Sequence, residues 1–196
     1  MIRIFAAVAL ALTLTACAQE GDTPQKLDLG DFTLGHNVVI APDLTKGPTS
    51  RNATPDELTE AVKAQLAKRL GRYDGDRMVH LGVNIGAYML ARPGVPLVYT
   101  PKSAFIMTVT AWDDRESAKF NEKPKQIIAL EQFGGTPILG SGLTTTREEQ
   151  IEALSISAAR QIEKWLAENA ACMTEDPAPE VLENCWKDTT PVQNDE

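Results

Sequence analysis

Residues 79–89 read VHLGVNIGAYM, and apolar residues alternate along this stretch with small or polar ones. A period of two is typical of a β-strand with one buried and one open face. The buried positions are predicted to be Val79, Leu81, Val83, Ile85, Ala87 and Met89. The open positions are then His80, Gly82, Asn84, Gly86 and Tyr88. The stretch therefore predicts a half-buried strand within a sheet.

The flanking sequence supplies the other elements. Residues 105–112 alternate in the same way, with Ile106 and Trp112 on the open side. Two short apolar runs, 36–42 and 127–130, are read as further strands. Helices are predicted to start after Thr54 and after Thr146, because each threonine is followed three residues later by a glutamate that completes a capping box.

The predicted order is strand, helix, three strands, helix. Because each helix and the sheet have one apolar face, both helices should cover the same side of the sheet. We predict an α+β fold, a two-layer sandwich with a mostly antiparallel four-stranded sheet and two helices on one face. The domain is assigned to residues 36–170, with a flexible tether at 17–35 and an acidic tail at 171–196.

The N-terminus, MIRIFAAVALALTLTACAQE, has the layout of an export signal. Arg3 precedes an apolar run that is too short to cross a bilayer as a helix. Residues 14–17 (LTAC) resemble the lipobox of bacterial lipoproteins, which implies removal of residues 1–16 and lipidation of Cys17. By that family's sorting habit, Ala18 implies the outer membrane, with the domain in the periplasm. An ordinary signal peptide with an incidental Cys17 is the alternative.

Charge and cysteine content limit the function further. A net charge of −8 makes the chain a poor binder of nucleic acid. Cys172 and Cys185 are predicted to form a disulfide, because an exported protein meets an oxidising compartment. Two free thiols or a redox site are the alternatives. The sequence predicts no metal site, since neither of its two histidines lies near these cysteines.

Beyond the lipobox, the chain resembles a broad group of envelope lipoproteins. This group includes the lipopolysaccharide-assembly lipoprotein, the auxiliary lipoproteins of ABC transporters and several uncharacterised families. The resemblance rests on the lipobox, on the order of elements and on residues 140–166, GSGLTTTREEQIEALSISAARQIEKWL. It implies a lipid-anchored envelope protein and brings no known active site with it.

Candidate chemistry is sparse. The Gly134–Gly142 loop has part of a phosphate-loop spacing but lacks the lysine that grips phosphate. His36 and His80 could approach each other, with Asn84 nearby, if their strands are neighbours. We therefore predict no catalytic residue and no cofactor.

Two features favour interaction instead. Aromatic and apolar residues on the predicted open face, namely Tyr88, Ile106 and Trp112, lie among glycines and threonines. The loop at 91–102 is rich in proline and apolar residues and contains Tyr99. As alternatives, the aromatic residues simply cover bare backbone, and the loop packs on its own domain.

The leading hypothesis is a non-enzymatic, lipid-anchored accessory protein that binds a protein or lipid partner in envelope assembly or transport. The alternative is a small periplasmic enzyme or ligand-binding protein that uses the Gly134–Gly142 loop. A structural lipoprotein without a specific partner is the third hypothesis.

Overall fold

The computed structural model describes residues 25–92, 102–131 and 145–187. The strands are β1 Phe32–Ile40, β2 Thr45–Lys46, β3 Arg77–Met89, β4 Ala104–Asp113, β5 Ala118–Lys119 and β6 Lys125–Leu130. The α-helices are α1 Pro55–Leu70, α2 Arg147–Glu168 and α3 Pro179–Leu182, and a 3-10 helix spans Ala170–Met173.

The predicted α+β two-layer fold is confirmed, and its sheet is mixed. β3 pairs in parallel with β1 and β2 and antiparallel with β4, which in turn pairs antiparallel with β5 and β6. The parallel pairing follows from the connection, because the chain returns from β1 to β3 through helix α1. The two-residue strands β2 and β5 were not predicted.

Both capping boxes form as predicted. The Thr54 hydroxyl accepts a hydrogen bond from the Glu57 amide at 3.2 Å, and the Thr54 amide donates to the Glu57 carboxylate at 2.8 Å. Thr146 and Glu149 make the same two bonds at 3.2 and 2.7 Å. Each box satisfies two amides at the start of a helix that would otherwise lack partners.

The core lies between the helices and one side of the sheet. From α1 it takes every fourth residue, Leu58, Val62, Leu66 and Leu70. From β3 and β4 it takes the predicted alternate residues Val79, Leu81, Val83, Ile85, Phe105, Met107, Val109 and Ala111. Trp165 of α2 is among the largest fully buried side chains. The other side of the sheet carries no helix of the described chain.

A β-bulge in β3 corrects the prediction for Tyr88. The register against β4 shifts between Ile85 and Ala87, so the inward and outward positions exchange beyond that point. Tyr88 therefore points into the core and is 5% exposed, and it is not part of the open face. Its hydroxyl donates to the Ala53 carbonyl at 3.2 Å and accepts from the Ala53 amide at 3.1 Å.

The ordered domain begins earlier than residue 36, which corrects the predicted tether. Leu29 and Phe32 are each 1% exposed, and β1 starts at Phe32. The Leu27 amide donates to the Tyr73 hydroxyl at 3.0 Å. The cause is hydrophobic burial, because these apolar side chains fill the end of the core beside α1.

The C-terminal segment is also more ordered than predicted up to residue 187. The disulfide between Cys172 and Cys185 is present. It holds Trp186 against the domain, where the ring stacks on Phe120 and meets Trp165 edge-on, each at 5.1 Å between centroids. None of the described helices is long and apolar enough to cross a membrane.

Candidate functional site

The side of the sheet away from the helices is the candidate site, and we call it the open face. From β1 and β3 it includes His36, Val38, Ile40, Met78, His80, Gly82, Asn84 and Gly86. From β4 and β6 it includes Ile106, Thr108, Thr110, Trp112, Gln126 and Ile128. The pleat and the strand registers put these residues on one surface.

The long strands β1, β3, β4 and β6 place no Asp, Glu, Lys or Arg on the open face. It exposes instead large apolar side chains: Val38 is 53% exposed, Ile40 50%, Met78 45%, Ile106 40% and Trp112 38%. Charged groups lie at its rim, where Lys119 of β5 is opposite Trp112 and the Asp114 carboxylate reaches His80. Large exposed apolar side chains on one surface, with charged groups at the rim, are a feature of interaction surfaces.

Two glycines of β3, one on each side of Asn84, leave the backbone bare in the middle of the open face. A Cβ added at Gly82 would come no closer than 4.0 Å to the Thr110 carbonyl oxygen, and one at Gly86 no closer than 3.8 Å to that of Ile106. Neither residue has a left-handed backbone. The fold itself therefore does not require glycine here, although glycine within a strand weakens it.

Gly35 behaves differently. A Cβ at this position would lie 2.3 Å from Nδ1 of His80. The bare backbone at Gly35 is thus needed so that the His80 ring can pack against β1. The bulge in β1 between Leu34 and Asn37 lies at this point.

The two histidines do come together, as the sequence predicted for neighbouring strands. Their rings stack with centroids 4.9 Å apart. Nδ1 of His80 accepts a hydrogen bond from the His36 amide at 2.7 Å, which leaves the ring proton on Nε2. Nε2 of His80 lies 3.0 Å from the Asp114 carboxylate. No bond joins this pair to Asn84, whose Oδ1 is buried without a hydrogen-bond partner in the described chain.

This arrangement does not resemble a catalytic or metal centre. Both ring nitrogens of His80 are already hydrogen-bonded, which leaves neither free for a proton transfer. Within residues 25–92, 102–131 and 145–187, no three His, Cys, Asp or Glu side chains are grouped to hold a metal ion. The histidine pair is better described as the polar end of the open face.

The structure places the predicted site residues in three groups. Ile106 and Trp112 lie on the open face, as expected. Tyr88 lies in the core. Tyr99, Cys17 and the Gly134–Gly142 loop lie outside the described residues, so their predicted roles stay predictions.

Sequence reasoning missed a buried ionic cluster on the helix side of the domain. Glu163 of α2 is fully buried. Its carboxylate accepts hydrogen bonds from Arg69 and Arg72 at 2.6 Å each and from the Tyr73 hydroxyl at 2.7 Å. Burial alone would raise the pKa of Glu163, but the bonds from Arg72, Tyr73 and Arg69 outweigh it and lower the pKa.

The cluster is structural. Both carboxylate oxygens of Glu163 are bonded to neighbouring side chains, so the group is not free to meet a substrate. The only sequence signal was a glutamate beside the apolar stripe of α2, next to Ile162. That signal could not identify partners on the preceding helix.

A second ion pair links the starts of the two long helices. Arg147 reaches Glu57 at 2.6 Å beside a shallow groove lined by Ala61, Ala64 and Ile151. The hydrogen bond from Arg147, together with the Thr54 cap, lowers the pKa of the Glu57 carboxyl to about 2. The pair is exposed to solvent, and we assign it a minor role in stability.

No family model matches the chain, and no curated protein matches it. A lipoprotein candidate from Caulobacter crescentus is 17% identical over 77% of this chain and 96% of its own, with a TM-score of 0.32. A Xanthomonas campestris protein of the DUF330 family is 8% identical over 74% of this chain and 88% of its own, with a TM-score of 0.36. A minor lipoprotein from Acinetobacter baumannii is 18% identical over 68% and 93%, with a TM-score of 0.29. At these identities and TM-scores, no property of these proteins can be transferred to this chain.

Proposed function

We propose that this chain is a lipid-anchored protein of the bacterial envelope whose domain binds a partner through the open face. The anchor is the lipid-bearing Cys17, left as the first residue when residues 1–16 are removed. Ala18 favours the outer membrane, with the domain in the periplasm. The disulfide between Cys172 and Cys185 suits an oxidising compartment of this kind.

The observation that supports the binding role is that the four long strands of the described chain place no charged side chain on the open face. The chain as a whole is 23% charged and has a net charge of −8. An ordinary solvated sheet face in such a protein would carry several charged side chains. Loss of charge, with aromatic and apolar residues in its place, distinguishes the core of a protein interface from the rest of a surface.

The role is proposed as non-enzymatic, in envelope assembly or transport. The fully buried carboxylate of Glu163 and both ring nitrogens of His80 are hydrogen-bonded within the domain. The alternative, an enzyme or ligand-binding protein that uses the Gly134–Gly142 loop, concerns residues outside the described chain and stays a prediction.

Photo-crosslinking in native membranes tests the proposal. A photoreactive residue is placed at Trp112 or at Ile106 on the open face, and at Lys63 on the exposed side of α1 as the control. We expect a discrete adduct from the first two positions and none from Lys63. Tyr88 is unsuitable for a probe because its ring is part of the core.

One result of this experiment would contradict the proposed binding role. If probes at Trp112 and Ile106 give the same diffuse pattern as the probe at Lys63, the open face does not bind a specific partner. The third hypothesis, a structural lipoprotein, would then replace the proposed one.

A further inference from the structure

We infer that His80 is a pH-sensitive contact that holds strand β1 on the sheet, formed while its ring is neutral and broken when the ring is protonated. Histidine is the side chain that ordinarily gains its proton between about pH 8 and pH 5. Three features support the switch, namely the atom that accepts the His36 amide, the bulge on which that amide lies and the charged groups around the rings. The switch acts whether or not the open face binds a partner.

The hydrogen bond from the His36 amide requires a neutral His80 ring. A backbone N–H can only donate, so Nδ1 of His80 must present a lone pair to it, and the two nitrogens are 2.7 Å apart. The His80 side chain is 19% exposed, so its ring exchanges protons with solvent. A proton on Nδ1 would place two N–H groups against each other. Protonation of His80 therefore breaks this bond.

Asp114 keeps hold of the His80 ring on its other side. In the neutral ring the proton is on Nε2, which lies 3.0 Å from the Asp114 carboxylate. That bond remains when a second proton arrives on Nδ1, and it then joins two opposite charges. The two contacts of His80 thus respond to acid in opposite ways. The protonated ring stays with the turn after β4 and releases β1.

The bulge makes β1 depend on this bond. The register of β1 against β3 shifts between Leu34 and Asn37, so Gly35 and His36 both lie opposite His80. An extra residue of this kind disrupts the regular ladder of backbone bonds, and here the His80 ring supplies the acceptor for the His36 amide. Within the described chain β1 pairs with no strand except β3. Acid therefore loosens β1 at its bulge, beside the part of the strand that lies on the open face.

The second histidine acts in the same direction. The His36 ring stacks on the His80 ring with the centroids 4.9 Å apart. When both rings are protonated, their like charges repel each other across this short distance. The repulsion adds to the loss of the hydrogen bond, because both effects push β1 away from β3.

The remaining surroundings of His80 carry little charge. On β4 its direct neighbour is the uncharged Trp112, and the two long helices pack on the opposite side of the sheet. Arg77 and Asp113 pair with each other within the domain. The other charged groups at this end of the sheet, none of which is bonded to either imidazole in the described chain, are Asp31, Asp76, Arg115, Glu116 and Lys119.

Nuclear magnetic resonance of the isotopically labelled full chain in detergent tests the switch from about pH 8 to about pH 5. The ring nitrogen shifts of His80 report its protonation. Hydrogen exchange of the His36 amide, relative to an unfolded chain at the same pH, reports the bond. We expect this protection to fall at least tenfold, with the same midpoint as the protonation of His80. The Gly47 amide, bonded to the Tyr88 carbonyl at 2.8 Å, is the control and should stay protected.

Two variants identify the titrating group. His80→Asn puts an amide oxygen that does not titrate in the place of Nδ1, so the His36 amide should stay protected at about pH 5. His36→Gln removes the second imidazole and keeps the backbone amide, so residue 36 should still lose protection as His80 titrates. Urea unfolding at neutral pH confirms that both variants are folded.

Three outcomes would overturn the switch. The first is constant protection of the His36 amide while His80 gains its proton. The second is a His80 ring that stays neutral down to about pH 5. The third is an equal loss of protection in folded His80→Asn, which would assign the pH dependence to another group. None of them affects the proposed binding role, which the crosslinking experiment tests separately.

Discussion

The Glu163 carboxylate accepts a 2.7 Å hydrogen bond from the Tyr73 hydroxyl, although the two residues are 90 positions apart in the chain. The same hydroxyl accepts from the Leu27 amide. Arg69 and Arg72 complete the cluster from the end of α1. One buried carboxylate thus connects both long helices to the segment that enters the domain.

We predict that Glu163→Gln destabilises the domain by about 3–5 kcal/mol, because it leaves two partly buried arginines without their counter-charge. Urea unfolding at neutral pH measures the change in the free energy of unfolding. Glu152→Gln, on an exposed position of the same helix, is the matched control and should change that value by less than about 0.5 kcal/mol. Equal effects of the two substitutions would show that the cluster contributes nothing.

The stabilising effect of Glu163 should depend on pH, and this can be measured by comparing the natural chain with Glu163→Gln. The pKa of Glu163 is lowered in the fold, so its contribution to stability is complete above the unfolded-state pKa of a glutamate, about 4.3. That contribution is lost as the pH falls through the lower folded-state pKa. The gap in unfolding free energy between the natural chain and Glu163→Gln should be constant from pH 7 to about 5 and shrink below about 4. A gap that widens on acidification would contradict this.

Two glycine-to-alanine substitutions should have different effects on the free energy of unfolding. Gly35→Ala places a Cβ against the His80 ring, so we expect the free energy of unfolding to fall by about 1–3 kcal/mol. The hydrogen bond from the His36 amide to His80 should also be lost. Gly82→Ala meets no close neighbour and should be neutral or stabilising. Urea unfolding measures both, and hydrogen exchange of the His36 amide reports the bond. Equal losses would mean that the fold requires glycine at position 82.

Tyr88→Phe tests the placement of that ring in the core. The substitution removes the hydroxyl bonded to Ala53, so we expect a loss of about 1 kcal/mol in the free energy of unfolding. The yield of adducts from a probe at Trp112 should not change. A reduced yield with unchanged stability would instead place Tyr88 in the binding surface.

Cys17→Ala tests the lipid anchor. Without the thiol no lipid can be attached, and the apolar run of the export signal is too short to span a bilayer as a stable helix. We expect the natural chain to sediment with membranes and to partition into detergent. The fraction of Cys17→Ala that does so should fall at least tenfold. Metabolic labelling with a fatty acid should mark only the natural chain, and labelling of the variant would contradict lipidation at this residue.

The elements that the sequence predicted are those determined by neighbouring residues. Thr54 with Glu57, and Thr146 with Glu149, define helix starts within four residues of chain. The alternation in β4 gave the correct side for Ile106 and Trp112. Cys172 and Cys185 could be paired because the expected compartment and the count of cysteines left few choices.

The failures depend on contacts between distant segments. The bulge that turns Tyr88 inward exists only in the register between β3 and β4, which no pattern within β3 reveals. The role of Glu163 depends on α1, and the burial of Leu29 depends on the end of the core that it fills. For the same reason, most of the open face, including its two glycines, could be recognised from the sequence, whereas the pairing of β1 with β3 that brings the histidines together needed the structure.

The hydrogen bond between Leu27 and Tyr73 also limits the length of the tether between the domain and the lipid anchor. With a lipid on Cys17, ten residue steps separate the anchor from Leu27, and even a fully extended chain of this length reaches at most about 35 Å. That reach is close to the diameter of a domain of this size. The open face can then contact only molecules that lie close to the membrane in which the chain is anchored. Distance, before any chemical selectivity, limits its partners to molecules that lie close to that membrane.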